Sequence, residues 1–286
     1  MPKIAANEPQ GQLRLGQFYG EVSDRASFSG ITLSDLAHTC ERHLPAHSHE
    51  AAFFSMMVHG DYSERIGSRS IPYRSFSTVF HPPELVHKDH IGAVGVRFFM
   101  IEVQSEWLAL LQREFQRLDL SPGLCHGEAM WLANRLYLEY DKQDQLHIES
   151  LTCELLAANS KARIIRETRK PPWLAEVVEY LRAELGRPLT LEEIATKIGV
   201  HPVYLSRIFR HSFRQTLGEY LNSLRAESAR EHLAFSREPL SGIAALCGFA
   251  DQSHFTRTFR KITGTTPGTF RSLINSRFSR SRPAHG

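Results

Sequence analysis

The most regular pattern of apolar and polar positions in this chain runs from Leu189 to Arg210. Its first half repeats apolar residues at helical spacing, at Leu191, Ile194, Ala195 and Ile198. Gly199 interrupts the pattern, and a second helix is predicted to begin near His201–Pro202, with the proline in its first turn. That helix buries Leu205 and Phe209 and leaves basic side chains outside. Two short helices joined by a glycine turn are typical of the helix-turn-helix, whose second helix enters the DNA major groove.

The start of this segment carries a predicted capping box. Thr190 is a favourable N-cap residue, and Glu193 follows three positions later. In a capping box the two side chains each bond to the other residue's backbone N–H. We therefore place the beginning of the first helix at Thr190.

The same pattern occurs a second time, from Leu240 to Arg260. Ile194-Ala195 and Gly199 recur 49 positions later, as Ile243-Ala244 and Gly248. The second-helix residues recur 50 positions later, Leu205, Arg207, Phe209 and Arg210 becoming Phe255, Arg257, Phe259 and Arg260. The offset therefore grows by one residue at the turn. One such pattern is weak evidence for a helix-turn-helix, but two in register are strong evidence.

The second copy lies in a run, GFADQSHFTRTFRKITGTTPGTFR, that resembles the AraC/XylS-type transcription regulators. It has residues of that family's pattern at Gly248-Phe249, Phe255, Phe259, Gly264, Pro267 and Arg271. The resemblance extends from Pro171 to Leu273 and includes the long helix LNSLRAESAREHL between the motifs. It implies an all-α domain of seven helices with two helix-turn-helix units, usually C-terminal to an effector or dimerisation domain.

Subtracting the buried positions of each second helix leaves the side chains that we expect to face DNA. They are His201, Val203, Ser206, Arg207 and Arg210 in the first copy, and Gln252, Ser253, Thr256, Arg257 and Arg260 in the second. The family resemblance implies base-facing positions at Val203, Ser206, Arg207, Ser253, Thr256 and Arg257. Arginine pairs with guanine and glutamine with adenine, but any one of these arginines is about as well explained as a phosphate contact.

Basic charge is concentrated in the half of the chain that carries the two motifs. Residues 172–286 hold 16 Lys and Arg against 10 Asp and Glu, a net charge of +6, whereas residues 1–171 hold 18 against 21. DNA phosphates attract such a surface. Because an ordinary solvated face could also carry +6, the charge supports DNA binding only through its coincidence with the motifs.

Between Gly30 and Val103 short apolar runs alternate with turn residues, which predicts several strands in a barrel or sandwich. Residues 1–30 are polar and predicted to be partly mobile. The runs LPAHSHEAAFFSMMVHG and FHPPELVH resemble the cupin-like barrel common at the N-terminus of this regulator family. Residues 104–166 then show helical patterns, the first of which places on one side the apolar residues Trp107, Leu110, Leu111, Phe115 and Leu118.

Three histidines of the cupin-like runs raise the question of a metal site. Cupin enzymes hold a metal with an HxH pair and a later histidine, which His47, His49 and His87 would supply. The glutamate ligand expected four or five positions after the pair is absent, because Phe53 and Phe54 stand there. We therefore expect no metal, and hydrogen-bonded histidines at the mouth of the barrel. Alternatively the barrel holds a small effector, with His47, His49, Phe54 and His87 as its lining.

The predicted fold is a multidomain α+β chain with five segments. Residues 1–103 form a cupin-like β-barrel that regulates the protein, and residues 104–166 form helices that cover the barrel or make a dimer contact. A linker at 167–171, a seven-helix DNA-binding domain at 172–275 and a disordered basic tail at 276–286 follow.

Three classes of function remain open, and the first is favoured. They are a sequence-specific DNA-binding regulator under effector control, a cupin-type metalloenzyme fused to a DNA-binding domain, and a regulator whose N-terminal domain binds a protein. No nucleophile elbow, phosphate loop or HExxH motif is present, so we predict no enzyme activity and no cofactor. Expected partners are double-stranded DNA, a small-molecule effector, RNA polymerase and a second copy of the chain. Four scattered cysteines, no apolar leader and no membrane span indicate a cytoplasmic protein.

Overall fold

The computed structural model describes residues 11–114, 118–139, 144–166 and 171–280. The chain divides into two compact units, residues 1–161 and 162–286. Among the described residues, no helix is both long enough and apolar enough to cross a membrane.

The N-terminal unit is built on an antiparallel sheet of eight strands. Its strands are β2 (Glu21–Phe28), β3 (Ile31–His38), β4 (Arg42–His43), β6 (Ala52–Ile66), β7 (Arg69–Pro72), β8 (Thr78–His81), β9 (Lys88–Val103) and β10 (Gly123–Leu124). Two short strands, β1 (Gln12–Leu13) and β5 (Ser48–His49), form a separate parallel pair. The β-rich N-terminal unit is therefore confirmed.

The order of the main sheet is open. It runs β10-β8-β6-β9-β3-β2, with β4 beside β9 and β7 beside β6. Within the described part of the chain, β2 and β10 end the order and do not pair with each other, so the predicted closed barrel is not seen. The long strands β6 and β9 shift register between Met57 and His59 and again between Gly60 and Tyr62. Such bulges bend a sheet without closing it.

The sequence pattern predicts no strand within residues 1–30, but β2 lies there. This strand pairs with β3 along nearly its whole length, but its side chains are exposed or only half-buried. The backbone hydrogen bonds to β3 hold it in place. Because no apolar alternation accompanies such an edge strand, the sequence pattern does not reveal it.

Three helices complete the N-terminal segment: α1 (Ser105–Glu114), α2 (Glu128–Glu139) and α3 (Gln145–Arg166). The predicted buried face of α1 needs one correction. Leu108 is buried there, whereas Leu110, predicted to face inward, is 54% exposed. The predicted Phe115 and the linker residues 167–170 lie outside the described residues.

The described residues of the C-terminal unit form seven further helices, as predicted. They are α4 (Trp173–Ala183), α5 (Leu191–Ile198), α6 (Pro202–Phe213), α7 (Leu217–Phe235), α8 (Leu240–Leu246), α9 (Gln252–Thr263) and α10 (Pro267–Arg280). Leu205 and Phe209 of α6 are fully buried, as are Phe255 and Phe259 of α9. Helices α6 and α9 have equal lengths and begin 50 positions apart, which confirms the repeat.

Helix α10 continues beyond the domain end predicted at residue 275. It reaches Arg280, so the prediction of a disordered tail from residue 276 is wrong for its first part. Ile274 is fully buried, and the ring of Phe278 stacks on Phe235 of α7 at 5.7 Å between centroids. These contacts extend the helix through a segment that looks merely basic and polar.

Candidate functional sites

Local caps and a glycine turn fix where α6 begins. Thr190 Oγ1 accepts a hydrogen bond from Glu193 N at 3.2 Å, and Gly199 ends α5 in the left-handed conformation with φ 77°. The predicted capping box is only half formed, because the Glu193 carboxylate bonds to Arg187 and Tyr180. His201 Nδ1 then accepts from Val203 N at 3.3 Å, which makes His201 the N-cap of α6.

The second copy is built in the same way, with a stronger cap. Gly248 has φ 76° in the turn, and Asp251 Oδ1 accepts from His254 N at 2.7 Å at the start of α9. That backbone hydrogen bond lowers the pKa of the Asp251 carboxyl. An acidic cap favours the helix electrostatically because the N-terminus carries partial positive charge.

Helix α6 presents its predicted DNA-facing residues to solvent. His201, Val203, Ser206, Arg207 and Arg210 are all exposed, Val203 to 69%. Two further residues share this surface and were missed by the sequence analysis. Tyr204 is 41% exposed, and the Arg207 guanidinium lies 5.8 Å from its ring centre. Arg214 lines a groove together with Arg210 and His211. The sequence did contain a signal for Tyr204: it directly follows Val203 and lies outside the buried positions Leu205 and Phe209 of the helix.

Helix α9 repeats this arrangement. Gln252, Ser253, Arg257 and Arg260 are exposed, and Thr256 is half-buried. Arg257 and Arg260 follow Arg207 and Arg210 by 50 positions, so each helix places two arginines one turn apart. The two helices therefore offer matching basic faces of the kind that DNA phosphates and guanine edges bind.

Not every arginine of the C-terminal unit belongs to these faces. Arg225 of α7 is buried, and its guanidinium donates to the backbone oxygens of Leu185 and Arg187. Burial lowers the pKa of this group. Arg230 and Arg277 are also buried. The net charge of the unit therefore overstates the positive charge at its surface.

The N-terminal unit contains a small cavity lined by histidines. His47, His49 and His87 all border it, each exposed by 5% or less. His47 and His87 lie opposite each other in an isolated antiparallel bridge, with backbone N–H to oxygen distances of 3.0 Å in both directions. The predicted grouping of these three histidines is therefore present in the structure.

Two carboxylates from the long strands β6 and β9 also reach this cluster. Glu64 Oε1 lies 2.7 Å from His81 Nε2, and Tyr73 OH donates to Glu64 Oε2 at 2.7 Å. Burial alone would raise the pKa of Glu64, but His81 and the hydrogen bonds hold it at about 2. Asp89 lies 3.7 Å from His47 Nε2, and Tyr62 OH donates to it at 2.8 Å.

Burial disfavours the charged form of the cavity histidines. It lowers the pKa of His49 to about 2, with the neighbouring His87, His47 and His81 adding to the effect. Burial also lowers the pKa of His87. These two rings are therefore neutral at physiological pH and offer nitrogen lone pairs.

Two parts of the sequence reasoning about this cavity are wrong. Phe54 is not among its lining residues, because strand alternation turns it to the other face of β6, where it packs on Phe80. Phe53 lines the cavity instead and stacks on His81 at 4.3 Å. The inference that no carboxylate joins the histidines also fails, because Asp89 follows His87 by two positions and Glu64 approaches through the pairing of β6 with β9.

Comparison with known proteins agrees with the geometry of the C-terminal unit. A helix-turn-helix domain family matches residues 194–272. The regulatory protein SoxS of Salmonella typhimurium is 34% identical over 98 residues, which are 34% of this chain and 92% of SoxS. The uncharacterized HTH-type transcriptional regulator YfiF of Bacillus subtilis is 27% identical over 247 residues, covering 79% of this chain and 78% of YfiF.

A solved structure of an AraC-type regulator from Chromobacterium violaceum is also similar. It is 29% identical and covers 40% of this chain and 96% of its own, with a TM-score of 0.35. The family match at residues 194–272 includes both α6 and α9 with their exposed arginines. This chain belongs to the AraC/XylS family of DNA-binding transcriptional regulators.

Proposed function

We propose that the chain recognises a specific DNA sequence by placing α6 and α9 in two neighbouring major grooves. The observation that carries this proposal is the matched pair of exposed basic helices within one unit. Helix α7 joins the two motifs with 19 residues. At ~1.5 Å per residue it spans ~28 Å, close to the ~34 Å between successive grooves on one side of B-DNA.

The two helices divide the work of recognition differently. On α9, Arg257 and Gln252 have the reach and donors to read base edges, and Ser253 and Thr256 supply short contacts beside them. On α6, Val203 and Ser206 are short, so Arg207 supplies the longest base contact. Arg210 and Arg260 lie one turn further along and suit phosphates. His201 also caps α6, so its backbone hydrogen bond competes with a DNA contact.

We also propose that the N-terminal unit controls DNA binding through a ligand held in the histidine-lined cavity. The cavity is bordered by convergent polar groups and aromatic rings, the composition of a ligand site. The likeness to YfiF supports a shared two-part design, since it covers 79% of this chain and so extends beyond the DNA-binding unit. A regulator of this kind acts in the cytoplasm, with RNA polymerase as a partner and with residues 104–166 available for a homodimer contact.

The test of the DNA-reading proposal is the variant Arg257→Ala. Losing a base contact should weaken binding to the specific site by about 1–3 kcal/mol and relax preference at one base pair, with little change on random DNA. The matched control is Arg237→Ala, which removes an exposed arginine from the connection between α7 and α8. A selected-sequence binding assay on both variants measures the two effects.

Equal losses of affinity for specific and random DNA would instead show that Arg257 contacts a phosphate. A full-length chain that binds no duplex at low salt would overturn the proposal itself.

A further inference from the structure

The histidine cavity of the N-terminal unit has the composition of a metal centre. One ring nitrogen from each of His47, His49 and His87 lies within 4.8 Å of the other two. Each ring is buried, with at most 5% of the residue exposed. They come from two parts of the chain: His47 and His49 lie directly before and within β5, and His87 lies directly before β9.

Two of these rings have a fixed orientation. His47 Nδ1 lies 2.9 Å from the oxygen of Pro45, and His87 Nδ1 lies 3.1 Å from the oxygen of Leu85. A carbonyl oxygen only accepts, so both Nδ1 atoms carry the hydrogen. The Nε2 atoms then hold the free lone pairs and face Asp89. A ring nitrogen bonded to a backbone carbonyl is the usual support behind a metal-binding histidine.

The third ring supplies an unsatisfied group. His49 Nδ1 is buried and has no hydrogen-bond partner among the described residues. Leaving a polar atom unpaired in a buried place costs about 1–3 kcal/mol. The ring of His49 lies 5.5 Å from that of His47 and 5.7 Å from that of His87, measured between centroids. A ligand bound among the three rings would relieve this cost.

Asp89 supplies negative charge at the same point. Its Oδ2 lies 3.7 Å from His47 Nε2, and its Oδ1 lies 4.0 Å from His87 Nε2. Ligands held at about 2.0–2.2 Å from a tetrahedral ion lie somewhat over 3 Å apart, so only a small contraction is needed. The hydrogen bond from Tyr62 OH orients this carboxylate.

The size and charge of the cavity select among ligands. Its volume is about 40 Å³, enough for an ion and a water, whereas sites for organic ligands usually exceed about 300 Å³. The carboxylates Glu64 and Asp89 disfavour an anion. Imidazole nitrogens favour zinc-like transition metals over magnesium or calcium, which prefer oxygen ligands.

We propose that the N-terminal unit binds one divalent transition-metal ion through His47, His49 and His87, with Asp89 as the fourth ligand. This proposal departs from the expectation of no metal, which was drawn from the missing glutamate. A transition-metal ion would then be the ligand of the histidine-lined cavity through which, as proposed above, the N-terminal unit controls DNA binding. The inference rests on that proposed function only for its regulatory consequence, because metal binding is measured without DNA.

The experiment uses the full-length chain without a histidine tag, stripped of metal by a chelator. Titration with Zn²⁺ by calorimetry should show one saturable site, and Co²⁺ should produce the visible absorption of a tetrahedral site. His49→Gln and His87→Gln should each lower the affinity about tenfold or more. The matched control is His43→Gln, which alters an exposed histidine that contacts His90 and should leave the site intact.

Tyr62→Phe provides a variant that keeps every ligand. It removes the hydrogen bond that orients Asp89 and should weaken metal binding about tenfold, the lower end of losses seen for such supporting groups. Circular dichroism of each metal-free variant checks that it is folded. Lack of a saturable site in the natural chain would overturn the inference, as would a site that His49→Gln and Tyr62→Phe both leave unchanged. In either case retained specific DNA binding would leave the DNA-reading proposal standing.

Discussion

Gly199 and Gly248 occupy the same place in the two repeats but have different surroundings. Both have left-handed backbone, with φ 77° and φ 76°. A Cβ at Gly199 would meet nothing within 4 Å, whereas one at Gly248 would lie 2.2 Å from the oxygen of Leu185. Two separate constraints therefore require glycine at position 248: the left-handed dihedral angle and the close approach of the Leu185 backbone.

This difference predicts unequal effects of one substitution. Gly199→Ala should cost about 1–2 kcal/mol of unfolding free energy from the left-handed strain alone. Gly248→Ala should cost clearly more, because the backbone of Leu185 must also move. Urea unfolding of the two variants measures this, and equal losses would show that the turn at Gly248 relaxes freely.

Glu102 gives the N-terminal unit a predicted dependence on pH. Burial raises the pKa of this carboxyl from 4.5 to about 7, although Gly16 N donates to it and Arg25 lies near. Between pH 4.5 and 7 the folded state therefore holds a proton that the unfolded chain releases. Stability should fall as pH rises through this range, by roughly 3 kcal/mol in total.

The variant Glu102→Gln tests the pH dependence because it cannot ionise. Urea unfolding at a series of pH values should show the slope between pH 4.5 and 7 flattened in this variant. Glu84→Gln is the matched control, since Glu84 is an exposed carboxylate of the same unit that does not act on Glu102. A slope that persists in Glu102→Gln would assign it to another group.

At this scale the sequence predicts what depends on near neighbours. The buried phenylalanines and exposed arginines of α6 and α9 follow from helical spacing, and the glycine turns follow from a single residue type. The approach of Glu64 to the histidines does not follow. It depends on the pairing of β6 with β9, in which Ser63 stands opposite His90 and Glu64 opposite Asp89.

Helix α7 joins the two helix-turn-helix motifs and so sets the distance between α6 and α9. Thr216 Oγ1 accepts from Glu219 N at 3.2 Å, and Glu219 Oε2 accepts from Thr216 N at 2.8 Å. The complete capping box expected at Thr190 is thus found here instead. Its loss would fray the first turn of α7, next to α6.

Thr216→Ala should therefore cost about 1 kcal/mol of unfolding free energy and weaken specific DNA binding modestly. Thr196→Ala is the control, because Thr196 lies inside α5 and its hydroxyl bonds only to the backbone oxygen of Glu192. Alanine favours the helix interior, so this variant should be neutral or slightly stabilised. Thermal unfolding distinguishes the two, and a neutral Thr216→Ala would show that tertiary packing alone holds α7.

The elements differ in how well the sequence predicts them. Helix α7 contains the whole of the long helix predicted between the motifs, because cap residues and apolar spacing are local signals. Strand β2 was missed and the barrel closure was wrongly expected, because both depend on pairing between distant segments. The exchange of Phe54 for Phe53 has the same cause, since shifting a strand by one residue reverses which face each side chain meets.

At the scale of the whole molecule, the two units have different chemical tasks. The C-terminal unit carries both basic helices, and the N-terminal unit carries the buried cluster of histidines and carboxylates. The relative SoxS is covered to 92% by 98 residues of this chain, so a regulator of little more than this domain exists.

We accordingly predict that residues 172–286 fold alone and bind DNA. Binding by this fragment and by the full chain should fall steeply with salt, because each phosphate contact releases counterions. If residues 104–166 form a dimer, the full chain should bind a paired site more tightly, since the second half-site is then bound at high effective concentration. Gel-shift titrations at several salt concentrations measure both properties.

Two outcomes of that comparison have distinct meanings. Equal affinity and an equal footprint for fragment and full chain would remove the dimer while leaving DNA recognition in place. A fragment that is folded by circular dichroism but binds no duplex at low salt would contradict the assignment of DNA binding to α6 and α9. We do not expect the fragment to lose DNA binding, because it keeps the exposed arginines of α6 and α9. These are Arg207, Arg210, Arg257 and Arg260.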